Sequence, residues 1–285
     1  MLLVAEIGIN HNGDMELAHR LIDAAVDSGA NAVKFQNYHT EEFATDAFYE
    51  YPWRGGKVTE SQKVMFKRCE LKTSELVRLK EHCKARKVTF FSTPMSERGL
   101  KELTDIGVTL LKNGSDCLTH LPLIRAMAKT GLPTMMSVGM AELPEIAQAE
   151  YEFYAGGGKE LTLLHCTSAY PAPDKEVNLL RIPELASLFK CPVGLSDHSQ
   201  GITAALGATA LGAIVIEKHF TLDKAMFGPD HAFSADPEEF KAMTEAVRKL
   251  EQQLGMAEIR PTAAEMKNRE QFRVTCQEGQ WRRSA

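Results

Sequence analysis

Short apolar runs alternate with amphipathic stretches along almost the whole chain. Eight runs have the length and composition of buried strands, and they lie at Leu2–Ile7, Ala32–Gln36, Val88–Thr93, Val108–Lys112, Thr134–Val138, Leu161–Thr167, Val193–Ser196 and Ile214–His219. Between them, apolar residues recur at spacings of three and four, which predicts helices such as Glu16–Ser28, Ser74–Arg86, Ser96–Ile106, Pro122–Lys129 and Pro144–Tyr154. This alternation predicts an α/β fold in which a parallel sheet closes into a (β/α)8 TIM barrel.

The barrel is predicted to be one domain of residues 1–255. An open, doubly wound sheet is the alternative, but no Gly-x-Gly-x-x-Gly motif follows the first strand to favour it. The final helix is expected to begin at Pro237, with Asp236 as its N-cap, and to end near Leu254. Residues 256–285 are then expected to form a polar, loosely held tail.

An insertion at residues 37–72 interrupts the rhythm after the second strand. It is rich in aromatic residues, among them Tyr38, Phe43, Trp53 and Phe66. A long loop after a strand lies on the C-terminal rim of a barrel, where loops cover substrates. We therefore expect this insertion to act as a lid or substrate cover.

The charge and composition of the chain argue against several kinds of binding partner and location. The formal net charge of −5 and the isoelectric point near 6.0 argue against nucleic acid or an anionic membrane as a partner. The N-terminus lacks a basic region before its apolar residues, so no signal peptide is expected, and no stretch is apolar enough to span a membrane. The six cysteines form no Cys-x-x-Cys pair, which favours reduced thiols and a cytoplasmic location.

Two histidines end neighbouring strands in this arrangement. His198 follows the seventh strand and His219 ends the eighth, with one helix predicted between them. Parallel strand ends meet at one edge of the barrel, so the two imidazoles should lie side by side. Such a pair, completed by oxygen ligands, suits a catalytic Mn, Fe, Co or Zn ion. The alternative is that each histidine is buried and hydrogen-bonded without a metal.

A second group at the strand ends suits an anion. Two lysines and four hydroxyl residues share the same edge, namely Lys34, Lys112, Thr93, Ser115, Ser137 and Ser196. Ammonium groups surrounded by short donors can bind a phosphate and a carboxylate. The alternative is that the lysines only pair with Glu6 or Asp116. A desolvated Lys112 or Lys218 could instead be a Schiff-base nucleophile.

These residues match a known family. The chain resembles the sialic acid synthases, which make N-acetylneuraminic, pseudaminic or legionaminic acid by condensing phosphoenolpyruvate with a hexosamine-type aldehyde. The resemblance covers about residues 3 to 234 in the family's order. It rests on Ala5-Glu6-Ile7-Gly8, Lys34-Phe35-Gln36, Phe91-Ser92-Thr93-Pro94, Lys112 to Ser115, Ser137 to Met140, His165-Cys166-Thr167, Tyr170-Pro171, Gly194 to His198, Glu217 to Thr221 and Gly228-Pro229-Asp230-His231.

The resemblance implies a role for each site residue. His198 and His219 would bind a divalent metal, usually Mn, with Mg or Co as alternatives. The two lysines and the four hydroxyl residues would hold phosphoenolpyruvate, with Lys34 and Lys112 in catalytic roles. The acceptor sugar and the reacting water would lie against Glu6, Gln36, Tyr170 and Asp230, with Glu6 as the catalytic carboxylate. Ser168 would also contact a substrate. A homodimer is expected.

Three departures from the family pattern stand out. Ser168 lies where most members have asparagine, as in the pseudaminic branch. Cys117 lies where most members have an acidic residue that contacts the sugar, and Asp116 comes one step early. The 256–285 segment is expected to be a truncated linker without the family's C-terminal antifreeze-like domain, which supplies a capping arginine.

Three hypotheses follow from the sequence. The first is a metal-dependent synthase that condenses phosphoenolpyruvate with an amino-sugar aldehyde and releases phosphate. The second is a Schiff-base aldolase or lyase that uses Lys112 or Lys218. The third is a non-catalytic barrel that binds a sugar phosphate. The paired histidines, the two lysines and Glu6 favour the first, because a binding module does not need a metal pair.

Overall fold

The computed structural model describes residues 1–283, apart from the side chain of Gln277. Its strands, in chain order, are β1 (Leu2–Gly8), β2 (Ala32–Asn37), β3 (Phe48–Trp53), β4 (Gly56–Ser61), β5 (Thr89–Pro94), β6 (Leu111–Asn113), β7 (Thr134–Ser137), β8 (Leu161–Cys166), β9 (Val193–Asp197), β10 (Val215–His219), β11 (Val274–Gln277) and β12 (Gln280–Arg283). Its α-helices are α1 (Met15–Asp27), α2 (Thr40–Phe43), α3 (Gln62–Cys69), α4 (Thr73–Ala85), α5 (Glu97–Asp105), α6 (Leu121–Lys129), α7 (Leu143–Ala155), α8 (Arg181–Phe189), α9 (Thr203–Ala210), α10 (Pro237–Leu254) and α11 (Ala263–Phe272).

Eight parallel strands close into a barrel in the order β1, β10, β9, β8, β7, β6, β5, β2. The predicted TIM barrel is therefore confirmed, and each of the eight predicted strands corresponds to one strand of the barrel. Strand β6 begins later than predicted, at Leu111, because the amide of Val108 donates to Leu103 O and still belongs to the end of helix α5. The closing pair β1–β10 sets Glu6 opposite His219.

Helix ends follow the expected capping chemistry. The Asp14 carboxylate accepts from the amides of Glu16 and Leu17 at the start of α1. Asp236 accepts from the amide of Glu239, so the predicted N-cap of α10 is confirmed. Helix α10 ends at Leu254, as its pattern predicts. No helix in residues 1–283 is long and apolar enough to cross a membrane.

Successive residues of each barrel strand point alternately to the surrounding helices and to the barrel interior. Near the N-terminal end, the inward residues form an apolar group that we call the floor layer: Val4, Ala32, Phe91, Met135, Leu164 and Val215. Two positions later on the same strands, the inward residues change in character. We call this second group the rim layer: Glu6, Lys34, Thr93, Ser137, Cys166 and Glu217, joined by Lys112 on β6 and Ser196 on β9.

The insertion at residues 37–72 has a structure of its own. It contains the short helix α2, the antiparallel hairpin β3–β4 and helix α3. The hairpin turns at Arg54 and Gly55, which both have positive φ, as tight two-residue hairpin turns require. Trp53 packs edge-on against Phe227 and donates its indole N–H to Ala225 O at 3.1 Å. The insertion is thereby fastened to the loop that follows β10.

The described residues from 252 to 283 form a separate compact unit. Within the predicted loosely held tail, they contain helix α11 and the antiparallel hairpin β11–β12, which the sequence pattern did not predict. A capping box starts α11: Thr262 N donates to the Glu265 carboxylate at 2.7 Å, and the Thr262 hydroxyl donates to it at 2.8 Å. Residues 284 and 285 of the predicted tail lie outside the described residues.

Candidate active site

A cavity of about 350 Å³ opens at the C-terminal ends of the barrel strands. Each barrel strand, or the loop after it, contributes at least one of the residues predicted for the site. Every one of those residues lines the cavity: Glu6, Lys34, Gln36, Thr93, Lys112, Ser115, Ser137, Ser168, Tyr170, Ser196, His198, His219 and Asp230. The structure therefore brings together in one place what the sequence names at scattered positions.

The bottom of the cavity holds the two predicted lysines in hydrogen-bonding contact with hydroxyls. Lys34 Nζ donates to Thr93 Oγ1 at 3.0 Å and lies 2.9 Å from Glu6 Oε2. Lys112 Nζ donates to Ser137 Oγ at 2.7 Å. All of these side chains are almost fully buried, so their charges are poorly screened.

Glu217 connects the two lysines and was not predicted as a site residue. Its carboxylate lies 3.9 Å from Lys34 Nζ and 3.8 Å from Lys112 Nζ, and it accepts from Ser196 Oγ at 3.1 Å. The signal that could have found it is the two-residue period of a strand, because Glu217 must share the inward face of His219. The alternative in which lysines pair with nearby acids is therefore partly realised, through Glu6 and Glu217.

The pKa values of these four groups diverge. Burial lowers the pKa of Lys112, because the charge of Glu217 does not compensate for the lost hydration. Burial acts on Lys34 in the same direction, but Glu217 and Glu6 outweigh it and raise its pKa. Burial raises the pKa of Glu6, whereas Lys112 and Lys34 outweigh burial and lower the pKa of Glu217. Of these four groups, Lys112 and Glu6 are thus the two whose pKa values burial shifts toward neutrality.

The two predicted histidines lie side by side above this layer, with ring centroids 5.4 Å apart. His198 Nδ1 lies 2.9 Å from Thr167 O, and since a carbonyl only accepts, Nδ1 carries the hydrogen. Burial, together with the positive charges of His198 and Lys34, lowers the pKa of His219 well below its usual range and keeps it neutral. His219 Nδ1 is buried without a hydrogen-bond partner among residues 1–283.

These donors fit a divalent cation held by two imidazoles. The hydrogen on Nδ1 of His198 leaves its Nε2 lone pair for a ligand bond, the usual arrangement of metal-binding histidines. The orphaned Nδ1 of His219 lies 3.7 Å from Asp230 Oδ2, a hard oxygen. Within the described part of the chain, no three histidine, cysteine or acidic side chains form a ready-made ligand cluster. Water or substrate oxygens would have to complete the coordination.

Comparison with known proteins identifies the family. The NeuB family matches residues 21–259. The chain belongs to the NeuB family. It is 43% identical over 265 residues to the uncharacterized protein MJ1065 of Methanocaldococcus jannaschii, covering 92% of this chain and 74% of that protein. It is 40% identical over 271 residues to N,N'-diacetyllegionaminic acid synthase of Campylobacter jejuni, covering 94% of this chain and 81% of that enzyme.

A solved structure agrees with the sequence relatives. The N-acetylneuraminic acid (sialic acid) synthetase from Leptospira borgpetersenii superposes with a TM-score of 0.83 at 36% identity, covering 94% of this chain and 89% of that one. The predicted resemblance to the sialic acid synthases is therefore confirmed. This NeuB family member is an enzyme of the phosphoenolpyruvate-dependent synthase class, which excludes the non-catalytic barrel.

One side of the cavity is aromatic. The Tyr170 ring lies 4.2 Å from the His198 ring and 5.0 Å from the Phe233 ring, measured between centroids. Phe233 also packs edge-on against His219 at 5.0 Å. Burial, and then the charge of Glu6, raises the pKa of Asp230 to about 7. Phe233 packs behind these rings and is not part of the described cavity lining, and no motif around it could have singled it out from the sequence.

Cys166 is another rim-layer residue that the predicted site lacks. Its Sγ lies 3.8 Å from His198 Nδ1 and 3.7 Å from Ser168 Oγ. Burial raises the pKa of this thiol, but the contact with His198 outweighs burial and lowers it to about 7. A side chain on Gly139 would come within 2.3 Å of Ser168 Oγ and 2.8 Å of Ser115 Oγ, so glycine lets these hydroxyls converge.

Lys218 lies on the other side of the barrel wall. Its neighbours Glu217 and His219 point into the barrel, so Lys218 points outward, because successive side chains of a strand face opposite sides. Its Nζ pairs with Asp197 Oδ2 at 2.7 Å. It does not line the cavity described here, within residues 1–283. The hypothesis of Lys218 as a Schiff-base nucleophile in this cavity is therefore wrong, because strand geometry turns the side chain away from it.

Proposed function

We propose that this enzyme condenses phosphoenolpyruvate with a hexosamine-type aldehyde to give a nonulosonic 2-keto acid and phosphate. One observation carries the proposal: a buried layer of two lysines and several hydroxyls shares one cavity with two adjacent imidazoles. The first group suits an anionic donor, and the second suits the carbonyl oxygen of an acceptor. The NeuB family relatives that are named as synthases support the same reaction class.

The donor is proposed to bind across the rim layer. Lys34 and Lys112 supply positive charge, and Thr93, Ser137 and Ser196 supply hydroxyls beside them. Ser115 is proposed to complete this set, since its Oγ accepts from the amide of Gly139 at 3.0 Å and so can donate its own hydrogen to a substrate oxygen. An anion bound here needs little reorganisation, because the donors are already fixed by packing.

A divalent cation, with Mn favoured and Mg or Co as alternatives, is proposed to bind at His198 and His219. When bound, it would supply Lewis-acid polarisation of the acceptor's aldehyde oxygen. The chain's own part is to hold the two imidazoles in position. The Thr167 carbonyl orients His198, and burial keeps His219 unprotonated.

Glu6 is proposed to orient the water that adds to C2 of the donor. C3 of the enolpyruvate attacks the aldehyde carbon, water adds at the C2 that becomes electron-poor, and phosphate leaves with cleavage of the C–O bond. Glu6 Oε1 accepts from Gln36 Nε2 at 3.1 Å, which fixes the carboxylate. Burial raises the pKa of Glu6 toward neutral pH, and a carboxylate with a higher pKa is a stronger general base.

The acceptor is proposed to be an unphosphorylated amino sugar with apolar substituents. One part of the cavity is lined by an apolar wall, which consists of Ile9, Phe43, Met65, Phe66 and Met95. The rings of Phe43 and Phe66 pack edge-on at 4.7 Å, and Tyr38 OH donates to Phe66 O at 3.1 Å, so the wall is rigid. Among the described residues of the cavity lining, Lys34 and Lys112 are the only lysines and no arginine is present, so no lysine or arginine is left over for a sugar phosphate.

The experiment that tests the function measures phosphate release from phosphoenolpyruvate with Mn²⁺. The panel contains N-acetylmannosamine, its 6-phosphate and a 2,4-diacetamido-6-deoxyhexose, with a chelator control. We expect metal-dependent release, fastest with the diacetamido sugar and slowest with the phosphorylated one. Release that survives chelation would contradict the metal assignment, and preference for the 6-phosphate would contradict the acceptor assignment.

A Schiff-base mechanism on Lys112 has one observation in its favour, namely the pKa that burial lowers. It predicts an adduct on Lys112 after borohydride treatment in the presence of the donor or product. We expect no adduct, because Lys112 donates to Ser137 Oγ and lies 3.8 Å from the carboxylate of Glu217, which favour the ammonium form. The predicted homodimer stays a prediction, which sedimentation velocity can test.

A further inference from the structure

The residues just before the two histidines are joined to each other. Asp197 precedes His198 and Lys218 precedes His219, and the two are register partners in the β9–β10 ladder. Lys218 Nζ lies 2.7 Å from Asp197 Oδ2, and both side chains are buried. Neither residue lines the catalytic cavity, so the contact lies on the outer face of the same two strand ends.

The same lysine also holds the residue after His198. Lys218 Nζ donates to Ser199 O at 2.6 Å. The carboxylate oxygen Oδ1 of Asp197 accepts from the amide of Ser199 at 2.9 Å and from its hydroxyl at 2.6 Å. Both chain neighbours of His198 are therefore anchored to the strand that ends in His219.

A buried ion pair is weak evidence for a role in stability, because desolvation cancels most of the attraction. We propose that Asp197 and Lys218 are positioning residues that set the spacing and orientation of the two imidazoles. This inference rests on the proposed metal site. The pair acts through the backbone: it fixes the turn at residues 197–199 and thereby aims the His198 ring, whose Nδ1 meets Thr167 O.

The test compares Lys218→Met, Lys218→Arg and Asp197→Asn with the matched control Arg125→Met. Arg125 pairs with the Glu152 carboxylate between helices α6 and α7, and neither residue lines the cavity. Titration calorimetry with Mn²⁺ on the folded proteins is expected to show an affinity about 10–100-fold weaker for Lys218→Met, with Lys218→Arg in between and the control unchanged. The KM for phosphoenolpyruvate should change little, since neither residue reaches the rim layer.

The second measurement needs no metal. Long-range ¹H–¹⁵N spectra of the metal-free protein should show His198 as a single tautomer with hydrogen on Nδ1, and as a mixture in Lys218→Met. Wild-type Mn²⁺ affinity and an unchanged tautomer in that variant would overturn the inference. If the wild type itself binds no Mn²⁺, the proposed metal site fails and the tautomer alone decides on the positioning role. If Lys218→Met does not fold, Asp197→Asn and Lys218→Arg carry both measurements.

Discussion

Two layers of side chains fill the barrel, and they lie two residues apart on the same strands. The floor layer is an apolar cluster of buried residues, and Phe91 has its largest side chain. The rim layer is equally buried but polar, and its Glu217 Oε2 has no hydrogen-bond partner in residues 1–283. The difference shows that the barrel uses one backbone for two purposes: the lower layer packs the fold, and the upper layer gathers the polar groups of the candidate site.

The largest effect should come from emptying the floor layer. Phe91→Ala removes a fully buried ring and is expected to lower the free energy of unfolding by about 3–5 kcal/mol. Urea unfolding measures this, with Phe48→Ala as control, because Phe48 on the hairpin is 71% exposed. A loss for Phe91→Ala no greater than that of the control would contradict the structural role of the floor layer.

A substitution in the rim layer should reduce activity without reducing stability. Lys112→Met is expected to reduce kcat/KM about 10²–10³-fold, because phosphoenolpyruvate loses a positively charged partner that is already aligned. The midpoint of urea unfolding should stay the same or rise, because a buried charge is removed. Lys101→Met on helix α5 is the matched control, since that side chain is 74% exposed. Loss of stability without loss of turnover in Lys112→Met would reverse the comparison.

The stability of the protein should depend on pH through His11, a buried residue that follows β1 at the polar end of the barrel. Burial lowers the pKa of His11 from its usual 6.5 to about 4, so between these pH values the unfolded chain binds the extra proton. The free energy of unfolding should therefore fall as the pH decreases from 6.5 to 4, by up to about 3 kcal/mol from this residue. His11→Asn keeps an acceptor for the Gly13 amide and should flatten the curve. Parallel curves for both proteins would refute the assignment.

The smallest effect should come from a single rim-layer hydroxyl. Thr93→Val removes the acceptor of Lys34 Nζ while keeping the shape of the side chain, and is expected to raise the KM for phosphoenolpyruvate about 10-fold. Steady-state kinetics with Thr89→Val, an exposed position at the start of the same strand, gives the control. Equal KM values for the two variants would remove Thr93 from the donor site.

Much of this arrangement could be predicted because the barrel strands are buried on both sides and show it in their composition. Their ends then place Lys34, Lys112 and the two histidines at one rim without any knowledge of tertiary contacts. Glu217 was within reach of the same reasoning, through the two-residue period it shares with His219. Cys166 and Phe233 could not be predicted in this way, because cysteine and phenylalanine in a sequence look like ordinary core residues.

The insertion and the C-terminal unit were harder to predict for a different reason. Strands β3 and β4 are largely exposed on both faces, so no clear alternation of apolar and polar residues marks them. The start of α11 did carry a readable signal, the Thr262-x-x-Glu265 capping box. Its helix has no buried face, which is why hydrophobic periodicity did not reveal it.

The attachment of Trp53 to Ala225 and Phe227 has a consequence for engineering this barrel. The insertion at residues 37–72 forms no barrel hydrogen bonds beyond the end of β2, and yet it supplies Phe43, Met65 and Phe66 to the cavity wall. Its exchange, together with the loop after β10, leaves the strand ends and their chemistry untouched. Under the proposed function, the choice of acceptor therefore depends on a segment that can be exchanged by loop grafting, whereas the condensation depends on the strand ends of the barrel.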